Sequence, residues 1–350
     1  MFLTLVTGAP GWLGTRLVRV LLEGLPGVAS LSEPDHTRRI RCLVKPDLDK
    51  SALRELSDRV EIVEGDLRNP NAASAFCGNA AGATLFHCVG VVHPRRYTRE
   101  LFEVNVDGTR HLLQAAESAQ VCRAVVVSSD SPFGFNLNRD HQFDELSPYN
   151  PYMAYGRSKM LMEEVVRAYQ GRGKLETVVV RPPWFYGPGQ PLRQTTFFRM
   201  IRRGTVPIVG DGENRRSMAY IDNVCQALLL CERIPAANGQ TYWIADRRPY
   251  TMKEIVDTVE RLMEREFGLA VAHKRMRLPS LASEVAKLCD KLLQSLGFYH
   301  QKIHVLSEMS KTIACSIAKA QRELGYEPTV ELEEGMRRSL AWCLTEGISL

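Results

Sequence analysis

The chain predicts an α/β protein built on a doubly wound parallel sheet, with a smaller C-terminal α/β lobe that binds substrate. Three observations carry that reading. Short, continuous apolar runs alternate with helical segments through the first half, as strands buried on both faces do. The glycine-rich turn Thr7-Gly8-Ala9-Pro10-Gly11-Trp12-Leu13-Gly14 lies between the first run and the first helix. The regular alternation then loosens after Arg181-Pro182-Pro183, where the second lobe is expected to begin.

In chain order, Phe2 to Thr7 reads as a buried strand. Trp12 to Leu25 reads as a helix, because Leu13, Leu17, Val20, Leu21 and Leu25 recur at helical spacing. Ile40–Val44, Val60–Val63 and Leu85–Val92 are the next strands. A long helix follows over Tyr97–Ala119, then a strand over Ala124–Ser128, a helix over Tyr152–Tyr169 and a sixth strand over Thr177–Val180. In the second half, helices are expected near Thr196–Arg203 and over Met252–Glu264, with a strand near Thr241–Ala245. The domains are expected over 1–182, carrying the cofactor and catalytic residues, and 183–350, partly interleaved with the first. In 281–296, Leu281, Val285, Leu288, Leu292 and Leu296 share one helical face. That face is expected to pack on its own lobe, with membrane-surface contact as the second reading.

Composition excludes several classes. The 350 residues are 45% hydrophobic and 24% charged, ordinary for a folded soluble domain. The net charge of +5 is mild and its basic residues form no long block, so no nucleic-acid partner is expected. The nine cysteines form no C-x-x-C, and reduced, buried thiols are expected. No run reaches the roughly 18 apolar residues of a spanning helix, and no leader is legible before Thr7-Gly8. The expected compartment is the cytoplasm.

The glycine turn carries the cofactor reading. Glycine lets the backbone turn tightly and approach a pyrophosphate, and the helix N-terminus supplies N–H donors and a positive dipole end. In a strand-turn-helix context the pattern reads as dinucleotide binding through Thr7, Gly8, Gly11, Trp12, Leu13 and Gly14. Lys45 closes the second strand, where an acidic residue favours a free ribose hydroxyl and a basic one a 2′-phosphate. Lys45 therefore tilts the reading from NAD(H) towards NADP(H), unless Asp47 takes the ribose. Asp66, in Gly65-Asp66-Leu67, is placed to accept from the adenine amino group, with Leu67 beside it. Cys88, Val89 and Gly90 follow the fourth strand, where the backbone passes the cofactor.

The catalytic reading rests on Tyr155-Gly-Arg-Ser-Lys159. Positions i and i+4 share a helical face, so phenol and ammonium point into one pocket. A desolvated Lys159 and an oxidised nicotinamide ring would together lower a phenol pKa that is ordinarily near 10. Ser129, at the carboxyl edge of the fifth strand, can hydrogen-bond the reacting substrate oxygen, with Ser128 as its structural neighbour. His87 and His93 lack partner ligands at metal-binding spacing, and no metal is expected.

Together these motifs resemble the extended short-chain dehydrogenase/reductase family, the NAD(P)-dependent epimerases, dehydratases and reductases on a Rossmann-type sheet. The likeness also covers Asn105-Val-Asp-Gly-Thr109, Arg181-Pro182, Tyr186-Gly-Pro-Gly189, Gly210-Asp-Gly212, Tyr220-Ile-Asp-Asn223 and Leu324-Gly-Tyr326. It implies hydride exchange at a carbinol or keto carbon, with Tyr155 moving the hydroxyl proton and Lys159 on the nicotinamide ribose. It further implies cofactor-side roles for Asn105 and Pro182, and a homodimer through helices 97–119 and 152–169.

Ser131 stands where the family's dehydratases and decarboxylases carry an acid, which argues against both reactions. Arg216 resembles the arginine that sugar-nucleotide members place on the substrate diphosphate, and arginine's planar fork suits phosphate. The stretch 193–216 holds six arginines that could form a positive rim. The preferred expectation is therefore a 4-epimerase or keto-reductase of a sugar nucleotide, with Ser129, Ser131, Trp184 and Arg216 facing the substrate. The alternative is a reductase or dehydrogenase of a hydrophobic alcohol, of the 3β-hydroxysteroid or dihydroflavonol type, in which Pro183, Trp184 and Phe185 line an apolar pocket. A non-catalytic cofactor sensor is the third reading.

Overall fold

The computed structural model describes residues 3–350. Seven parallel strands form the central sheet: β1 Leu3–Thr7, β2 Arg39–Val44, β3 Val60–Glu64, β4 Thr84–His87, β5 Arg123–Val127, β6 Glu176–Arg181 and β7 Thr241–Trp243. Their order is β7-β6-β5-β4-β1-β2-β3, with β1 pairing β2 on one side and β4 on the other. The chain thus reverses its winding direction between β1 and β4. A crevice opens there beyond the carboxyl ends of the strands, the position at which open α/β sheets bind ligands. The expected Rossmann-type sheet is present.

One strand of this sheet comes from the second half of the chain, since β7 pairs with β6 from Thr241 opposite Val179 to Trp243 opposite Arg181. Smaller pairings carry the rest of that half: Trp184–Tyr186 with Met218–Tyr220, and Pro207–Val209 with Met276–Leu278.

Several boundaries differ from expectation, each for a local reason. The fourth strand stops at His87 rather than Val92. Val91 does not continue the ladder, because its N–H donates to Asn105 Oδ1 and its carbonyl accepts from Asn105 Nδ2. The long helix expected over Tyr97–Ala119 begins at Arg99 and contains a π-helical stretch, Glu103–Gly108, before Thr109–Ser118. The first helix ends at Glu23, where Gly24 takes a positive φ of 83°. Helix Pro70–Cys77, started by a proline and capped by Asn69, lies outside the sequence reading. So does helix Ile221–Arg233. The thiols are all free, but Cys122 and Cys289 are exposed rather than buried.

One expectation is overturned. The apolar face of helix Ser280–Ser295 does not pack on its own lobe: Leu281, Val285, Leu288 and Leu292 are exposed, as is Leu296 just beyond its end. Its opposite side holds the contacts, with Ser283 and Asp290 fully buried and Ala286 nearly so.

A buried ion pair joins helix Met153–Arg167 to the sheet. Arg181, at the end of β6, donates to both oxygens of Glu163, with Nη2 at 2.5 Å from Oε2. Ser128 Oγ donates to Glu163 Oε1 at 2.6 Å and Tyr149 donates to Oε2 at 2.6 Å. The guanidinium also lies 4.4 Å from the Phe133 ring centroid and 5.5 Å from that of Trp243. Removing one member of such a pair leaves a buried charge. Arg181→Met is expected to cost about 3–5 kcal/mol, read as a lowered urea midpoint. Adding Glu163→Gln should recover part of that loss; a double variant as unstable as the sum of both singles would refute charge stranding as the cause.

Candidate active site

The turn after β1 is shaped by absent side chains. Gly8 has φ +91°, and a Cβ there would lie 2.6 Å from the Cys88 carbonyl carbon. A Cβ on Gly14 would lie 2.5 Å from Gly8, and one on Gly11 would lie 2.6 Å from the Gly8 oxygen. The three glycines therefore fold the turn onto itself and onto the end of β4. Helix Trp12–Glu23 starts there, and its first backbone N–H groups have no intrahelical partner. The cradle suits a pyrophosphate. Leu13 points into the core, so only its backbone is available. Trp12 donates from Nε1 to the Pro188 oxygen at 2.7 Å and packs against Phe185, tying the cradle to the second lobe.

At the far end of the crevice, Lys45 Nζ lies 3.8 Å from Asp47 and 3.9 Å from Asp66, so both candidate ribose readers meet there. Asp66 accepts from Arg68, whose Nη2 is 2.6 Å from Oδ2, and this cation holds the carboxyl below its ordinary pKa. Beyond Asp66 a groove of about 570 Å³ is lined by Arg68, Asn69, Glu103, Asp107 and His111. Lys50 is turned away, on Pro46 O and Glu64. Leu67 is buried, and its carbonyl accepts from His111.

His87 is explained structurally. Thr109 Oγ1 donates to Asn105 O at 2.7 Å, so it accepts from His87 Nε2 at 2.9 Å. Nδ1 is then left to accept from Thr7 Oγ1 at 2.7 Å. Burial and the nearby Lys159 charge pull this imidazole down to about 3, so it stays neutral. Among the described residues no cluster of His, Cys, Asp and Glu could hold a metal ion.

Tyr155 and Lys159 lie on helix Met153–Arg167, and the loop after β5 brings Ser129 to them. Burial pushes the Tyr155 phenol up to about 12, while the neighbouring Ser129 hydroxyl lowers it. Asp130 and Glu308 push it further up and Arg193 draws it down. Lys159, nearly fully buried, donates from Nζ to the Val127 oxygen at 2.9 Å, and burial lowers its pKa to about 8. The Arg193 charge also acts on Tyr155. Arg193 has no carboxylate within ion-pair distance among the described residues. Gly90 completes this end: a Cβ there would lie 3.8 Å from Lys159 Nζ and 3.9 Å from Asn105 Oδ1. Asn105 also donates to Ser158 Oγ at 3.0 Å, linking the π-helical stretch to the Tyr155 helix. Pro182, Cys88 and Val89 follow their strands at the same sheet edge, Pro182 being buried.

On the substrate side, Ser131 N donates to Ser129 Oγ at 3.2 Å, and Ser131 Oγ donates to Asp130 at 3.4 Å. Arg216 Nη2 donates to Glu308 O at 2.5 Å, and its charge faces the carboxylates of Asp130 and Glu308. Burial and Glu308 lift Asp130 to about 6. Trp184 is half-buried against the edge of Phe197, 5.5 Å between centroids. The six arginines do not form a rim. Arg202 binds Leu350 O, Arg215 pairs with Asp140, and only Arg193 and Arg216 act on this site.

Two contributors escape sequence reading. Arg193 is one. Gly156 is the other: a Cβ there would lie 2.4 Å from the Ser131 oxygen, so the loop carrying Ser129 reaches Tyr155 only because residue 156 has none. A glycine one residue past the tyrosine was the available signal.

Comparison with known proteins gives a consistent set. A family model described as the NAD dependent epimerase/dehydratase family matches residues 4–245. The chain is 49% identical over 349 residues to y4nL of Sinorhizobium fredii, an uncharacterized protein, covering 99% of this chain and 96% of that one. It is 29% identical over 301 residues to 3beta-hydroxysteroid-dehydrogenase/decarboxylase isoform 1 of Arabidopsis thaliana, covering 81% and 67%. Among solved structures it resembles DesIV, a dTDP-glucose 4,6-dehydratase from Streptomyces venezuelae with NAD and TYD bound. That match has 25% identity and a TM-score of 0.73, over 99% of this chain and 97% of the other.

Two outcomes test the geometry. Gly156→Ala should lower turnover by roughly 10²-fold while cofactor affinity is retained; unchanged turnover would show that the Ser131 contact does not set the Ser129–Tyr155 approach. For Lys159 the unfolded state holds the proton up to the ordinary lysine range, while the folded state releases it near 8. The unfolded state therefore binds more protons in that window, and stability must rise with pH through it. Lys159→Met should remove an upward slope of at most about 1.4 kcal/mol per pH unit, measured by urea unfolding of the cofactor-free protein across pH 8 to 10. Parallel curves for the two proteins would discard the assignment.

Proposed function

The chain belongs to the NAD-dependent epimerase/dehydratase family, and from that membership we propose that it is a dehydrogenase or reductase acting on a secondary alcohol or ketone. The observation that carries this is the meeting of Tyr155, Ser129 and buried Lys159 at the sheet edge beside the glycine cradle. NAD(P), when bound, supplies or accepts the hydride at the carbinol carbon. In the oxidative direction Tyr155 takes the hydroxyl proton as the carbonyl forms, and in reduction it returns it. Ser129 holds the reacting oxygen by a hydrogen bond. Lys159 keeps a positive charge next to the cofactor ribose through Val127, Gly90 and Asn105. Lys45 supports NADP(H) over NAD(H).

For the substrate, the setting of Arg216 favours a hydrophobic alcohol or ketone. Its guanidinium is spent on the Glu308 carbonyl and faces two carboxylates, which would repel a diphosphate. Trp184, Phe185 and Phe197 offer apolar wall, and the Arabidopsis hydroxysteroid dehydrogenase relative agrees with this class. The sugar-nucleotide reading is the second. It is favoured by Arg193, a cation with no acidic partner acting on Tyr155, and by the likeness to DesIV. Ser131 speaks against a dehydratase.

The test supplies both nicotinamide cofactors with a panel of hydrophobic secondary alcohols and ketones and with nucleoside diphosphate sugars, following nicotinamide absorbance and product mass. Hydrophobic substrates should turn over, Tyr155→Phe should lower kcat by about 10²–10⁴-fold, and Arg216→Ala should leave their KM unchanged. Turnover confined to nucleoside diphosphate sugars, with KM raised by Arg216→Ala, would replace this reading with the second.

A further inference from the structure

Helices Ser280–Ser295 and Gln301–Glu308 form a hairpin over the active site. Its inner side is polar and fully engaged. Asp290 Oδ2 binds His304 Nδ1 at 2.7 Å, and Gln294 Nε2 donates to Asp290 Oδ1 at 2.9 Å. Gln294 Oε1 accepts from the Ala154 N–H at 3.0 Å, at the start of the helix carrying Tyr155. The hydroxyls of Tyr152 and Ser307 bond at 2.6 Å. Glu308 O receives Arg216. The hairpin is thus fastened to the catalytic helix and cannot be turned to bury its other face.

That other face is apolar. Leu281, Val285, Leu288, Leu292 and Leu296 are 54–70% exposed and recur every three or four residues, one continuous stripe. Phe298 and Tyr97, also exposed and 5.7 Å apart, extend it towards Tyr299 and His93, which hydrogen-bond each other next to the catalytic pocket. Exposed cations stand near the stripe: Lys291 on the helix, Lys302 on its partner helix, and Arg95 and Arg96 beside Tyr97. Each of the hairpin's own carboxylates is engaged. Glu284 is paired with Lys311, Asp290 lies under His304, and Glu308 faces the Arg216 side.

We propose that this face seats the protein on an anionic phospholipid surface, with helix Ser280–Ser295 lying in the plane of the interface and the mouth of the active site against the membrane. A leucine stripe bordered by lysine and arginine is how interfacial helices combine apolar burial with attraction to acidic headgroups. The attachment is peripheral, since among the described residues no helix is long and apolar enough to cross a membrane. Charge also selects against a second copy as the occupant. A two-fold contact through this face sets the same surface against itself, basic border included. The inference concerns where the protein works and stands whichever substrate class is correct.

Sedimentation with vesicles tests it, using phosphatidylcholine alone and an equal mixture of phosphatidylcholine and phosphatidylglycerol. The protein should pellet with the mixed vesicles and much less with the neutral ones. Leu288→Glu with Leu292→Glu, at exposed positions, should lower that binding at least about tenfold while the melting transition and cofactor affinity stay unchanged. Lys291→Gln with Lys302→Gln should lower it by about tenfold. No pelleting with mixed vesicles, or equal pelleting of the leucine variant, would overturn the proposal. So would analytical ultracentrifugation showing that the leucine substitutions split a dimer, which would assign the face to a second copy.

Discussion

The Glu163–Arg181 pair is the constraint on which the site depends. Tyr155 and Lys159 sit on the same helix as Glu163, and Arg181 ends a central strand, so the pair fixes how that helix lies on the sheet. Two charges at this depth are tolerated because each has its counter-charge and most of its hydrogen bonds, Arg181 Nη1 alone being left without a partner. Ser128 and Tyr149 complete the carboxylate, and the rings of Phe133 and Trp243 take up the guanidinium. The same arrangement separates two adjacent serines. Ser128 is committed to holding the helix, and Ser129 is left to face Tyr155. A shift of this pair would move phenol, ammonium and serine loop together.

The cofactor side is organised by close approach rather than by charge. Gly8, Gly11 and Gly14 bring backbone against backbone at distances no side chain permits, and Gly156 does the same for the serine loop. Charge enters next. The pocket sets Arg193 and Arg216 against Asp130 and Glu308, so these four charges largely offset one another. Burial therefore dominates the electrostatics of Tyr155, and its phenol stands above its ordinary pKa until substrate and oxidised cofactor contribute.

Much of this was legible in the sequence, because the relevant signals are local. Buried parallel strands read as unbroken apolar runs, and glycines and Y-x-x-x-K carry their geometry in their spacing. What escaped depends on distant partners. Asn105 ends the fourth strand early by capturing Val91, which no strand propensity records. The charge of Arg193 acts on Tyr155 from the second half of the chain, and nothing in its neighbourhood distinguishes it from Arg199 or Arg202. The spacing from Leu281 to Leu296 marks one apolar face, but periodicity says only that a face is apolar and not whether the fold covers it, and here the fold leaves it exposed.

The origin of β7 has a consequence for how the molecule is made. Trp243 stacks over the guanidinium that holds the catalytic helix, and it lies on a strand that emerges long after both members of the ion pair. During synthesis the first six strands can assemble, but the β6 edge stays open and the charged pair stays half covered until residue 243 has left the ribosome. Until then the nascent N-terminal part presents an unpaired strand edge. The surroundings of the catalytic helix are complete only once the second half of the chain has supplied the last strand.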